Sequence, residues 1–185
     1  MVELDTLPDH KILETCLASD TTNYGFSLLI NKYKKQVYWL IRRMVIDHDD
    51  TDDLVQETFI KVWKNLSSFR SESNLYTWIY RIASNEALTF LQRKKIKYAI
   101  MVQNYDMVLA HKIADDNSLS GDRVQHKLQQ AILSLPAKQR LVFNMRYYDE
   151  LKYEEMSEVL GTSVGALKAS YHIAAKKVEE FITRD

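Results

Sequence analysis

The densest group of potential metal ligands in this chain is the run DHDDTDD at residues 47–53. His48 stands there among five aspartates (Asp47, Asp49, Asp50, Asp52 and Asp53). Carboxylate and imidazole ligands can hold a divalent cation and so support hydrolysis. Such sites usually gather ligands from several segments, and the sequence shows no second cluster. We therefore favour an acidic loop that supplies helix caps, and a metal-binding enzyme is the lesser alternative.

A second unusual pattern overlaps the end of that run, in the segment DDLVQETFIKVW at residues 52–63. On a helix, one face carries the apolar side chains of Val55, Phe59, Val62, Trp63 and the following Leu66. The opposite strip consists of Asp53, Gln56, Glu57 and Ile60. A solvated face would more usually pair Lys with Glu four residues apart. An acidic strip that contains an isoleucine therefore indicates a surface that meets a partner.

Charge is unevenly distributed along the 185 residues, although the formal net charge is zero. Residues 32–43 contain five Lys or Arg and no acid, whereas residues 47–57 contain six acids and no Lys or Arg. Such blocks predict one surface for an anion and another for a cationic protein. A solvated surface whose charges cancel in space is the alternative.

The composition predicts a helical cytoplasmic protein. Four Gly and two Pro provide few breaks, which favours helices over strands joined by tight turns. Cys16 is the single cysteine, so a disulfide framework and a cysteine zinc site are excluded and a reducing compartment fits best. The acidic start of the sequence lacks the apolar core of a signal peptide, and no apolar run is long enough for a membrane span.

Helical periodicity predicts four helices in the first half of the chain. Their segments are DHKILETCLAS, GFSLLINKYKKQVYWLIRRMVI, the quoted segment and NLYTWIYRIASNEALTFLQRKK. We expect Asp9 to cap the first helix and Thr51 or Asp52 to cap the third. The polar cluster DDNSLSGD ends a predicted linker at residues 98–122, after which shorter helices follow.

The segment YEEMSEVLGTSVGALKASYH predicts a helix-turn-helix. Gly161 can adopt the left-handed conformation that ends the first helix, and Thr162 or Ser163 can cap the second. The buried stripe of the second helix would be Val164, Leu167, Tyr171, Ala174, Val178 and Phe181. Small residues at the start of its other face would let it lie deep in the DNA major groove. An ordinary helical hairpin is the alternative.

These motifs, in this order, resemble bacterial RNA polymerase sigma factors of the extracytoplasmic-function (ECF) type. The stretches DDLVQETFIKVW and YTWIYRIASN are similar to the family's first domain, and the stretch from LPAKQR through the helix-turn-helix is similar to its second. The resemblance implies an all-α fold of two small helical domains, residues 1–97 and 123–185, joined by a flexible linker at 98–122. The C-terminal domain would contain the helix-turn-helix.

The resemblance also implies what the acidic strip meets. In the family, this face docks on the clamp coiled coil of the polymerase β′ subunit. Asp53, Gln56 and Glu57 fall on its contact positions, with Ile60 as their apolar neighbour. Charge complementarity would speed the encounter with a basic coiled coil, and the apolar Ile60 would prolong the complex.

DNA contacts are implied at two places. For the −10 element, where a flipped base enters a loop pocket, the matching residues are Phe69, Arg70, Ser71, Ser73, Arg81 and Asn85, with Arg93, Lys94 and Lys95 on backbone phosphates.

For the −35 element, the matching residues are Ser163, Gly165, Ala166, Lys168, Ala169, Ser170, His172 and Lys176. Ser170, Ile173 and Ala175 stand where the family often has Arg, which predicts a weaker or differently composed upstream element. Glu150 replaces a usual turn glycine.

The implied partners are core RNA polymerase, through the β′ clamp coiled coil and the β flap, promoter DNA, and an anti-sigma factor. The resemblance implies no enzyme activity, no cofactor and no metal, and a monomer when the protein is free. A free-standing helix-turn-helix regulator that binds a palindrome as a dimer is the alternative. It would leave the acidic strip without a role.

Overall fold

The structure, a computed structural model, describes residues 7–69, 74–100 and 123–184. Within these ranges the chain forms eight α-helices and no β-strand. They are α1 (Asp9–Leu17), α2 (Thr22–Val45), α3 (His48–Asn65), α4 (Leu75–Ile100), α5 (Arg123–Leu133), α6 (Ala137–Tyr147), α7 (Tyr153–Leu160) and α8 (Val164–Thr183), with a 3-10 turn at Leu66–Ser68. The predicted all-α fold class is confirmed. Most of the predicted linker lies outside the described residues, and α4 continues past residue 97 to Ile100.

Helix α2 is the centre of the N-terminal helical group, with α1, α3 and α4 packed around it. Its apolar residues recur every three or four positions, so Leu29, Val37 and Ile41 all lie fully buried. The inner face of α3 and the apolar side chains of α4 line the same core, and buried residues of α5 to α8 extend it. Each fully buried aliphatic side chain contributes roughly 1.5–3 kcal/mol relative to exposure.

Gly25 allows α1 to approach α2 closely. A Cβ atom at this position would lie 2.5 Å from the backbone nitrogen of Cys16, which no packed structure tolerates. Cys16 is itself buried in the contact, and burial raises the pKa of its thiol to about 11. The single cysteine is therefore a protonated packing residue at neutral pH.

The C-terminal group, α5 to α8, has a small core of its own, formed by Ala131, Ile132, Leu135, Phe143, Ala174 and Val178. Gly161 ends α7 with φ +60°, the left-handed conformation that the sequence predicts for it. Ser163 then accepts a hydrogen bond from the backbone nitrogen of Ala166 and caps α8. These local features of the helix-turn-helix are confirmed.

Two predicted caps and one predicted core residue are wrong. Helix α3 begins at His48, and Asp47, rather than Thr51 or Asp52, accepts from the backbone nitrogen of Asp50. Asp9 lies inside α1, where its carboxylate accepts from Lys32 and Tyr33. Trp63 is 40% exposed, although its ring meets the Phe26 ring edge to face at 4.7 Å. For the two caps, a nearer or a tertiary partner replaces the one that local periodicity suggests.

The turn between α6 and α7 holds Glu150 with φ +53°, in the position where the family usually has glycine. A residue with a Cβ atom pays roughly 1–2 kcal/mol in this region of backbone space. Glycine removes this strain but loses more backbone entropy on folding, which offsets part of the gain. We therefore expect Glu150→Gly to raise the free energy of unfolding by up to about 1 kcal/mol. Urea denaturation measures this change. Glu150→Ala keeps the Cβ atom and is the control, and equal stability of the two variants would contradict the expectation.

Candidate functional site

The strip that the sequence singles out lies on the outer face of α3. Asp53, Gln56 and Glu57 are exposed, and Ile60 is 51% exposed. We call these four residues the docking strip. The opposite face carries Val55, Phe59 and Val62 into the core, so α3 is held by one face and presents the other.

Two ion pairs fix α3 against α4 on either side of the docking strip. Asp50 lies 3.1 Å from Lys94 Nζ, and Lys61 Nζ lies 2.5 Å from Glu86. Neither Asp53 nor Glu57 forms an ion pair with another residue of the described segments. These two ion pairs thus hold α3 against α4. The carboxylates of Asp53 and Glu57 in the docking strip remain available to a cationic partner.

Four of the six potential metal ligands in the run DHDDTDD have partners within the protein. Asp47 caps α3, Asp50 pairs with Lys94, and His48 lies 3.2 Å from Asp52 one helical turn later. Within residues 7–69, 74–100 and 123–184, no group of three or more His, Cys, Asp or Glu side chains is arranged to hold a metal ion.

The predicted −10 surface is described only in part, because Arg70, Ser71 and Ser73 lie outside the described residues. The Phe69 ring packs 5.0 Å from that of Trp78, which is half-buried, whereas Ile79 is fully buried. The remaining predicted contacts are on α4. Asn85, Arg93 and Lys95 are exposed, and Lys94 is half-buried through its pair with Asp50.

The predicted −35 surface is the outer face of α8. Seven of its eight predicted residues, namely Ser163, Gly165, Ala166, Lys168, Ala169, His172 and Lys176, are exposed, and Ser170 is half-buried. A Cβ atom at Gly165 would meet nothing, so packing does not require glycine there. Lys168 Nζ lies 5.7 Å from the Tyr153 ring, which tethers this cation loosely beside the first helix of the motif.

Comparisons with known proteins match both halves of the chain. Residues 29–96 match the family model described as Sigma-70 region 2, and residues 125–178 match Sigma-70, region 4. The chain is 30% identical to the ECF RNA polymerase sigma factor SigW of Bacillus subtilis, over 80% of this chain and 83% of that protein. It is also 30% identical to the ECF RNA polymerase sigma-E factor of Escherichia coli, over 95% and 94% of the two chains.

The chain belongs to the ECF RNA polymerase sigma factors. Solved structures show the same fold at low identity. CnrH, in complex with the cytosolic domain of CnrY, superposes with a TM-score of 0.67 at 19% identity, covering 94% of this chain and 96% of its own. RpoE from Bartonella quintana, in complex with the anti-sigma factor NepR, superposes with a TM-score of 0.64 at 20% identity. The match covers 86% of this chain and 98% of RpoE. In the described part of this ECF sigma factor, no helix is long and apolar enough to cross a membrane.

The two helical groups of this ECF sigma factor pack directly against each other, an arrangement we call closed. Its polar centre is the C-terminal end of α2. The Arg43 guanidinium lies 2.5 Å from the Asp149 carboxylate and 4.4 Å from the Tyr148 ring. Arg140, 1% exposed, donates to the carbonyl oxygen of Met44 at 3.1 Å, and Asn144 donates to that of Arg43 at 3.4 Å. Side chains of α6 therefore cap the free carbonyl groups of α2.

A second contact of the closed arrangement engages a predicted DNA-binding residue, which itself stays exposed. Arg81 on α4 donates to the carbonyl oxygen of Glu158 on α7 at 2.5 Å. Sequence reasoning missed this contact and the cluster at the end of α2. The partners in these contacts are far apart in the chain, and Arg81 bonds to a backbone atom. The one sequence feature that could have indicated the cluster is the position of Arg140 in LPAKQR.

The ion pair of the closed arrangement is poorly solvated. Burial raises the pKa of Asp149, and the neighbouring Arg43 only opposes that rise. Desolvation is therefore the larger of the two influences on the pKa of the Asp149 carboxyl group.

Proposed function

We propose that this ECF sigma factor binds core RNA polymerase through the docking strip and directs initiation at promoters by reading two DNA elements. The proposal rests on how α3 is held. Its inner face is buried, an ion pair joins it to α4, and Asp53, Glu57 and Ile60 stay exposed. An acidic surface with an apolar centre fits a basic coiled coil, which is the chemistry expected of the β′ clamp.

The DNA-reading roles are divided between the two helical groups. Residues 1–97 would read the −10 element with Phe69, Arg70, Ser71 and Ser73 and with α4, using Arg93, Lys94 and Lys95 on phosphates. Residues 123–185 would read the −35 element with the exposed face of α8 and meet the β flap. This division is supported by the exposure of Asn85 and Arg93 on α4 and of Lys168 and His172 on α8.

The same family supports a proposal about regulation and location. Two solved relatives are in complex with other chains, one of them named an anti-sigma factor, and we propose that an anti-sigma factor also binds this chain. It would act in the cytoplasm as a dissociable specificity subunit rather than as an enzyme. The relatives are sigma factors, so the comparisons favour this function over a free-standing helix-turn-helix regulator.

Transcription in vitro tests the proposal. The purified chain is added to core polymerase freed of its own sigma factors, together with a pool of promoter fragments. We expect RNA chains that start at defined positions on a subset of fragments and that are absent without the chain. Failure of the chain to bind core polymerase or to start any RNA would reject the function.

Lys168 provides a test of the −35 surface. We expect Lys168→Ala to reduce transcription from promoters that need their upstream element by about fivefold, the loss of roughly 1 kcal/mol of DNA contact. Promoters with a scrambled upstream element should respond much less. Lys11→Ala, which removes an exposed lysine from α1, is the matched control. An equal loss on both promoter types would remove Lys168 from the −35 surface.

A further inference from the structure

One side of the exposed face of α8 is apolar. Ala166, Ala169 and Ile173 follow one another at intervals of three and four residues, so their side chains share one line along the helix. All three are exposed, Ile173 by 46%, and we call them the apolar strip. A lone exposed isoleucine is ordinary on a protein surface. Here it continues a line of small residues on the face that is predicted to enter the major groove.

The neighbouring side of the same face carries hydrogen-bond donors. Lys168, His172 and Lys176 lie four residues apart, all three are exposed, and we call them the donor strip. Such side chains can contact phosphates or the acceptor atoms of base edges. Helix α8 contains no arginine, the residue whose planar fork bonds two acceptors of guanine at once. The charged side chains nearest the start of α8 therefore lie beside the apolar strip and not within it.

The chemistry of the apolar strip limits what it can select in DNA. Alanine and isoleucine side chains have neither a donor nor an acceptor, so they form no hydrogen bond with a base edge. The feature of the major groove that an apolar group favours is the C5-methyl group of thymine, because their contact removes apolar surface of both partners from water. Against a G·C pair the same side chains would cover polar atoms without pairing them, which costs free energy.

The length of the apolar strip fits a short run of base pairs. Ala166 and Ile173 are about 10 Å apart along the helix at 1.5 Å per residue. This distance corresponds to roughly three base-pair steps of 3.4 Å each. A Cβ atom at the neighbouring Gly165 would meet nothing, so the start of α8 is slim enough to approach the bases closely. The longer side chain of Ile173 can then reach a base from farther along the helix.

We propose that the apolar strip selects thymine methyl groups, so that the −35 element of this sigma factor contains a short run of A·T pairs whose thymines face the strip. Ile173, the largest side chain of the strip, contributes most of this selectivity. The donor strip contacts the adjoining bases and phosphates. This inference rests on the proposed function, and it names the base that the −35 surface selects.

Deoxyuridine tests the inference, because it pairs as thymine does and lacks only the C5-methyl group. The full chain with core polymerase first selects promoters from a pool that has a fixed −10 region and a random window around −35. We expect the selected windows to be enriched in runs of thymine. Replacing these thymines by deoxyuridine should then lower promoter affinity about fourfold for each methyl group contacted, the effect of one buried methyl group. Enrichment of guanine without thymine runs, or equal affinity for the two forms, would overturn the inference.

Ile173→Ala assigns the effect to a residue. This variant should bind the thymine promoter about tenfold more weakly than the unmodified chain. At one of the selected positions it should also no longer distinguish thymine from deoxyuridine, whereas Ile173→Val should still do so. Leu17→Ala removes an exposed apolar side chain from α1 and is the matched control, which should change neither property. If Ile173→Ala distinguishes thymine from deoxyuridine at every position as the unmodified chain does, the proposal is wrong.

The outcomes separate the two proposals. If the chain starts RNA with core polymerase but selects windows without thymine, the proposed function stands and the thymine selection fails. If it starts no RNA on any fragment, the proposed function fails. A gel-shift assay with the full chain alone then decides the thymine selection, on duplexes that the chain itself has selected from a random pool. Equal affinity for their thymine and deoxyuridine forms would overturn it.

Discussion

Replacing Asp53 and Glu57 together by lysine should lower the affinity of this ECF sigma factor for core RNA polymerase by at least about 30-fold. The two carboxylates lie on the exposed face of α3 and have no ion-pair partner among the described residues. Reversal of both charges turns attraction to a basic surface into repulsion, and central interface residues commonly contribute 2 kcal/mol or more. A fluorescence-anisotropy titration with sigma-free core polymerase measures the loss, which should shrink as salt is added.

The control must change the charge equally without touching the docking strip. Glu14→Lys combined with Asp20→Lys does so at exposed positions before α2. The milder Asp53→Ala, Gln56→Ala variant should fall between the control and the reversal, with an unchanged helical circular dichroism spectrum. If the reversal binds as tightly as the control, the docking strip is not the polymerase surface.

Arg140→Met should lower the free energy of unfolding by about 3 kcal/mol. The Arg140 guanidinium is buried and donates to three carbonyl oxygens, those of Met44 at 3.1 Å, Leu133 at 2.6 Å and Leu135 at 3.3 Å. Methionine has nearly the same length as arginine but no hydrogen-bond donor. Each of the three buried carbonyl oxygens would lose its partner, at a cost of roughly 1–3 kcal/mol. Part of this loss is offset because no charge has to be buried in the variant. Equilibrium urea denaturation measures the change.

Lys138→Met is the matched control for this effect, because it removes an exposed cation from the same helix. It should change stability by less than about 0.5 kcal/mol. A loss below about 1 kcal/mol for Arg140→Met would mean that water reaches the three carbonyl groups, and the proposed role of Arg140 as the buried cap of α2 and α5 would then be wrong.

Local patterns determined much of this protein. The all-α fold, the buried and exposed faces of α3 and α8, the left-handed Gly161 and the Ser163 cap could all be predicted, because each depends on neighbours within one or two helical turns. The family resemblance then assigned partners to the exposed faces. Periodicity indicates that a face is exposed, but it does not identify what the face binds.

Only the tertiary structure decided how the two helical groups meet. Arg43 and Asp149 are 106 positions apart, and Arg81 bonds to a backbone atom of α7, so no local period marks either contact. The same holds for the clash that makes Gly25 necessary and for the partial exposure of Trp63. Burial and pairing between distant segments depend on how whole helices pack, and that information is absent from any single window of the sequence.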